Sequence, residues 1–171
     1  NFNFKKINIL RAFIEYIDQA VLTINSAAIL NTLTTHHDIT ALFIDYFLNK
    51  FDPKIENKEN LLGKIEENIK EKIKQVPQIL DDKILNIMML FLKSLLRTNY
   101  FLEKETLSFK IDTKTFGKDL KGLQPNIENF IYHSDFYGVH LRMTKVSRGG
   151  LRWSDRHDDY RQEVKSLMIT Q

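Results

Sequence analysis

The apolar residues of this chain change from helical to alternating spacing close to residue 103, and that change limits what the chain can fold into. Upstream they recur at three and four. Ile7, Leu10, Ile14, Ile17 and Val21 mark one side of an amphipathic helix, and Ser26 to Leu33 predicts a second, shorter one. Asp38 is placed to cap a third helix carrying Leu42, Phe43, Tyr46 and Phe47 on one side, with Asp52-Pro53 at its end. Asn57 to Gln75 is a Lys/Glu-rich helix with Leu61, Leu62, Ile65, Ile69 and Ile73 inward, and Pro77 interrupts after it. Asp81 opens the most apolar helix, through Ile84, Leu85, Met88, Leu92, Leu95 and Leu96 to about Leu102. About five helices before residue 103, packed as an irregular bundle, are expected.

Downstream the period is two. Leu107, Phe109 and Ile111 alternate with Ser108, Lys110 and Asp112, while Phe130 to His133 and Val139 to Val146 predict further strands around a Ser134-Asp135 turn. Gly117, Gly122 and Pro125 mark a loop, and a last helix is expected from Asp158 or Asp159, with Tyr160, Val164, Leu167 and Met168 at helical spacing. The expected fold class is therefore α+β. An irregular helical bundle occupies residues 1–103, and residues 104–171 form a β-containing unit that ends in a helix.

At 171 residues, 43% hydrophobic and 27% charged, the chain can bury a real core and has room for two units. Its longest uninterrupted apolar run, Ile87 to Leu92, is far short of the roughly 20 residues that cross a bilayer, so no membrane partner is expected. With no cysteine there is no disulfide framework, thiol nucleophile or cysteine zinc site, which favours a cytoplasmic address. A start at Asn1 and a helix that reads as unfinished at Gln171 suggest a piece of a longer protein. The chain contains no G-x-G-x-x-G after a strand, no G-x-x-x-x-G-K-[ST] and no H-E-x-x-H, so nucleotide-binding and hydrolytic machinery are not expected in it.

Charge is distributed unevenly. Residues 1–137 carry 18 basic and 18 acidic side chains, and the whole excess lies beyond them. Residues 138–171 hold Arg142, Lys145, Arg148, Arg152, Arg156, Arg161 and Lys165 against Asp155, Asp158, Asp159 and Glu163. Upstream only Arg11 and Arg97 are arginines; downstream five of the seven bases are. The switch from lysine to planar, permanently charged forks suits fixed recognition of carboxylate or phosphate.

The segment Ser147-Arg148-Gly149-Gly150-Leu151-Arg152-Trp153-Ser154-Asp155-Arg156 concentrates that change. Adjacent glycines allow close approach of a ligand, and the guanidiniums can grip an anion; the same residues also suit a surface turn with solvated charges. Spacing leaves both readings open. Asp155, Asp158 and Asp159 can pair with Arg152, Arg156 or Arg161, and Trp153 suits a core or pocket wall. His140, two residues before Arg142 on one strand face, can line a pocket with the glycine segment. His36-His37-Asp38 offers ligand residue types, but it abuts a helix start where Asp38 serves as a cap, and no metal is expected. Arg97-Thr98-Asn99-Tyr100 closes the long helix with polar groups and an aromatic. Four acids intersperse the C-terminal bases, so nucleic acid is not expected as a partner.

Gly138-Val139-His140-Leu141-Arg142, the glycine-arginine segment, and Asp159-Tyr160-Arg161-Gln162-Glu163-Val164 with Leu167-Met168 and Gln171 closely resemble the large-subunit class of NAD-specific glutamate dehydrogenases. Leu10-Arg11-Ala12, Phe51-Asp52-Pro53, Asp81-Asp82-Lys83-Ile84-Leu85, Arg97-Thr98-Asn99-Tyr100 and Ser108-Phe109-Lys110 resemble the helical region of the same family and its passage into the catalytic domain. The resemblance implies a role in amino-acid catabolism, oxidative deamination of L-glutamate to 2-oxoglutarate and ammonium with NAD as hydride acceptor. Arg148-Gly149-Gly150-Leu151-Arg152 resembles the Lys-Gly-Gly-Ile-Arg-like motif of smaller glutamate dehydrogenases, whose lysine grips a substrate carboxylate. Gln171 resembles a glutamine that helps hold the substrate. The implied substrate-binding residues are Arg148, Gly149, Gly150, Arg152 and Gln171, with no catalytic or cofactor-binding residue in this chain. The resemblance further implies that the catalytic lysine and the NAD-binding Rossmann domain belong to the rest of a parent enzyme, expected to be a homo-oligomer. The competing expectation is a non-enzymatic helical interaction module whose basic C-terminal segment docks an acidic partner.

Overall fold

The computed structural model describes residues 4–21, 24–116, 124–143, 150–154 and 160–169. Five helices come first: α1 (Phe4–Ala20), α2 (Ser26–Thr35), α3 (His37–Phe51), α4 (Lys58–Ile73) and α5 (Ile79–Ser94). Strands β1 (Leu95–Thr98) and β2 (Leu107–Ile111), the short helix α6 (Thr113–Phe116), strands β3 (Ile127–Tyr132), β4 (Tyr137–Arg142) and β5 (Gly150–Ser154), and helix α7 (Tyr160–Ile169) follow. The strands form one sheet in the order β1-β2-β3-β4-β5, with every neighbouring pair antiparallel. The mixed α+β class expected from the two periodicities is the one observed.

Two local expectations are corrected. Helix α5 stops at Ser94 instead of running to about Leu102. Ser94 Oγ turns back onto Phe91 O at 2.6 Å, Lys50 Nζ donates to the terminal carbonyls of Leu92 and Lys93 at 2.8 and 2.9 Å, and Asp112 N donates to Ser94 O. Those contacts satisfy the carbonyls a helix end leaves open. Leu95–Thr98 then joins the sheet, so its first strand lies upstream of residue 103. Leu95 is buried and Leu96 half exposed; two adjacent leucines fit either period, and pairing with β2 selects the strand. The second correction concerns Asp38, which lies inside the first turn of α3, with His36 at the cap position and no side-chain cap bond. The carboxylate of Asp38 still sits at the positive end of the helix and accepts from Lys72 Nζ at 2.6 Å. A side-chain cap does occur on α2, where Asn25 Oδ1 accepts from Ala28 N at 2.8 Å.

One core serves helices and sheet together. Phe13 of α1 lies with its ring centroid 5.4 Å from Phe47 of α3, 5.3 Å from Phe91 of α5 and 5.4 Å from Phe109 of β2. Tyr16, one turn on, stacks on Phe91 at 5.0 Å and meets Phe130 of β3 at 5.4 Å. Phe109, Ile111, Phe130, Val139 and Leu141 form the buried side of the sheet, in phase because directly opposed residues share a face. Helix α4 packs on α3 through Ile69 and Ile73 and leaves a Lys/Glu face to solvent. Among the described residues no helix is long and apolar enough to cross a membrane.

Candidate functional site

The residues singled out in the sequence fall on the β4–β5 hairpin and α7. In β4, Tyr137, Val139 and Leu141 point into the core, while His140 and Arg142 are half-buried on the opposite side. The register sets Gly150 opposite Leu141, Leu151 opposite His140, Arg152 opposite Val139 and Trp153 opposite Gly138. Gly150–Ser154 of the glycine-arginine segment is therefore a strand at one end of the sheet, and Gly150 opens it. Its alternation of Leu151 and Trp153 with Arg152 and Ser154 carried the strand signal; the glycines and arginines masked it.

Of the five expected substrate residues, Gly150 and Arg152 are brought by their backbone onto the strand beside His140 and Arg142. Arg148, Gly149 and Gln171 lie outside the described residues, as do Asp155, Asp158 and Asp159. Helix α7 begins at Tyr160, close to the expected start, and packs against β4, β5 and α1.

A polar row crosses the face of the sheet turned away from the core. Lys110 on β2, Asn129 on β3 and His140 on β4 stand directly opposite one another, and Arg97 on β1 is the partner of Lys110. Asn129 Nδ2 donates to His140 Nδ1 at 2.9 Å, which leaves the proton of a neutral ring on Nε2. Arg142 lies two residues beyond His140 on the same face. Basic and amide residues thus share one face of the sheet, beside the strand that Gly150 opens, an arrangement suited to receiving a carboxylate.

On the core side is a buried ion pair that the sequence reading did not identify. Arg161 Nε and Nη2 of α7 donate to Glu128 Oε1 and Oε2 of β3, both at 2.7 Å, with the two residues 1% and 0% exposed. Burial works against the charge on Arg161, and the carboxylate of Glu128 outweighs it and holds the guanidinium's pKa above its ordinary value. Burial first, then Glu128, raises the pKa of the Tyr16 hydroxyl beside the pair. Lys165, one turn further along α7 and also buried, is lowered to about 8 by burial and by Arg161. The signal for Glu128 was present: it is in phase with Phe130 and Tyr132, two and four residues on, but the strand was expected to begin at Phe130.

The three residues His36, His37 and Asp38 do not converge. His36 Nε2 meets the Asp81 carboxylate at 3.0 Å, where Thr32 Oγ1 also donates at 2.7 Å, and Asp38 turns to Lys72. Among the described residues no three His, Asp or Glu side chains come close enough to hold a metal. Nor do the described residues fit a dinucleotide. Binding of NAD at a strand end needs a parallel βαβ unit feeding a helix N-terminus, and all four strand pairings are antiparallel.

Fold and site together define a mixed α+β segment with a row of basic and amide residues across one face of its sheet and no dinucleotide fold among its described residues. The chain belongs to the bacterial NAD-glutamate dehydrogenase family: residues 68–171 match the family model described as the bacterial NAD-glutamate dehydrogenase catalytic domain, and residues 1–53 match glutamate dehydrogenase helical motif 3. Relatives named NAD-specific glutamate dehydrogenase are 36% identical over 177 residues in Halomonas elongata and 33% over 181 in Pseudomonas aeruginosa, both covering 100% of this chain. A third, from Mycobacterium tuberculosis, is 29% identical over 178 residues and covers 98%. The chain spans 11% of the length of each of these relatives.

Proposed function

We propose that this chain is part of an NAD-dependent glutamate dehydrogenase that deaminates L-glutamate oxidatively to 2-oxoglutarate and ammonium, a step of amino-acid catabolism in the cytoplasm. In this reading residues 104–171 supply the first part of the substrate-binding domain, with Arg148, Gly149, Gly150, Arg152 and Gln171 forming one wall of the site. Residues 1–103 are the helical region that backs it, and β1 lends the sheet its outer strand. The observation that carries the proposal is the match of residues 68–171 to the catalytic domain of this family; the pairing of Gly150–Ser154 with Tyr137–Arg142, two of the segments on which the resemblance rests, supports it.

The part assigned to this chain is binding and orientation. A glutamate carboxylate laid against the Arg148-Gly149-Gly150 segment would be held by a guanidinium through parallel hydrogen bonds, with small glycines allowing close approach. NAD accepts hydride when bound to other parts of a parent homo-oligomer, and in this reading the chain alone is inactive, with neither a coenzyme site nor a positioned proton acceptor among its described residues. The test is a pair of assays. The full-length parent should reduce NAD in a glutamate-dependent manner and the purified 171-residue chain should not. A parent that ignores glutamate would overturn the assignment.

A further inference from the structure

Helix α1, strand β3 and helix α7 meet at three buried polar side chains. Tyr16 is 0% exposed, and it lies beside the bidentate pair that Arg161 makes with Glu128. The Tyr16 hydroxyl lies against both members of the pair, while the remaining guanidinium nitrogen, Arg161 Nη1, and both amide atoms of Gln19, one turn along α1, are buried with no hydrogen-bond partner among the described residues. Such a junction is a poor way to gain stability. An ion pair removed from water recovers little more than its desolvation cost, and apolar side chains of equal volume usually hold a core as well or better. A two-bond fork does fix geometry, because it sets both the distance of α7 from β3 and the rotation of α7 about its own axis.

That rotation matters for the site. Helix α7 packs against β4 and β5, the strands on which His140, Arg142, Gly150 and Arg152 lie. We propose that Arg161, Glu128 and Tyr16 are positioning residues which lock α7 onto the sheet and so set the substrate wall, making α1 of the helical region a determinant of glutamate affinity. The proposal rests on the glutamate dehydrogenase reading above. Tyr16 brings the helical part of the chain into contact with the pair, and Phe91 and Phe130 hold its ring from either side of the junction.

The experiment uses the full-length parent with Tyr16→Phe, Glu128→Gln and the double variant, measuring KM separately for glutamate and for NAD alongside thermal unfolding. Removing the Tyr16 hydroxyl should raise the glutamate KM by about two- to threefold, and Glu128→Gln by about fivefold or more. The NAD KM should stay within about twofold, and the double variant should fall short of the product of the single effects. Arg161→Lys, which keeps the charge and loses the fork, should behave like Glu128→Gln. A glutamate KM unchanged in folded Tyr16→Phe and Glu128→Gln enzymes would overturn the proposal, as would equal shifts for both substrates. Should Glu128→Gln fail to fold, Tyr16→Phe and Arg161→Lys decide the matter. A wild-type parent inactive on glutamate overturns the functional reading itself, whereas an active parent with insensitive variants overturns this proposal alone.

Discussion

Arg161 and Glu128 lie 33 residues apart in the chain and meet through two 2.7 Å hydrogen bonds inside the core, where neither has access to water. The pair ties the last described helix to the middle strand of the sheet. Removing one partner leaves an uncompensated charge. Glu128→Ala should therefore destabilise the fold by about 3 to 5 kcal/mol, whereas Glu128→Leu combined with Arg161→Met should be near neutral or stabilising. Chemical denaturation of the three proteins measures this, and a single variant as stable as the wild type would show that the pair is not buried as described.

Phe13 joins α1 to α3, α5 and β2 through one set of ring contacts. Phe13→Ala should cost about 3 to 5 kcal/mol and lower the unfolding temperature of helical and β structure together. Far-ultraviolet circular dichroism followed alongside tryptophan fluorescence would check it. Separate transitions for the two signals would contradict a shared core.

Asp81 gives the stability of the bundle a pH dependence of definite sign. Its carboxylate accepts from Thr32, with burial opposing and His36 assisting, and its pKa lies below the ordinary aspartate value. A carboxyl group depressed on folding stabilises the protein above its unfolded pKa of about 3.9, and that contribution is lost as pH falls through the lower folded value. Asp81→Asn should accordingly lower the unfolding temperature at pH 7 and lose less stability than wild type between about pH 4 and pH 2. Parallel slopes for the two proteins over that interval would refute the assignment.

Arg148 provides the test of the substrate wall in the parent enzyme. A charge-assisted contact to a glutamate carboxylate contributes about 1.5 to 3 kcal/mol, so Arg148→Ala should lower glutamate kcat/KM by roughly tenfold to more than a hundredfold, with NAD affinity much less affected. If Arg148 instead pairs with Asp155 or Asp158, the variant should lose thermal stability and keep kcat/KM.

Much of the architecture was legible in the order of residue types. The three-and-four spacing of Ile7, Leu10, Ile14 and Ile17 is the apolar side of α1, and the alternation of Leu107, Phe109 and Ile111 is the core side of β2. Periodicity reports which residues share a face, so it locates elements well wherever one face is buried and the other wet. It fails where both periods fit. Leu95-Leu96 can continue a helix or begin a strand, and only hydrogen bonding to Ile111 and its neighbours, more than ten residues on, settles the choice. Gly150–Ser154 is a similar case, a strand whose glycine and Arg152 also suit a turn until β4 pairs with it.

The family was likewise readable, because motif residues such as Arg148-Gly149-Gly150 are contiguous and need no fold to be seen. What the chain order could not reveal was the partnership of residues far apart. Asp155, Asp158 and Asp159 are close enough in sequence to pair with Arg152, Arg156 or Arg161, and His36-His37-Asp38 stand together as adjacent ligand types. In the folded protein Arg161 reaches across to Glu128, His36 to Asp81 and Asp38 to Lys72. Sequence by itself determined most of the elements, their buried faces and the family, since these depend on local spacing and contiguous motifs. Tertiary structure alone decided the charge pairs, because a polar side chain forced out of water must take whichever complementary group the packing of distant elements brings within hydrogen-bond reach.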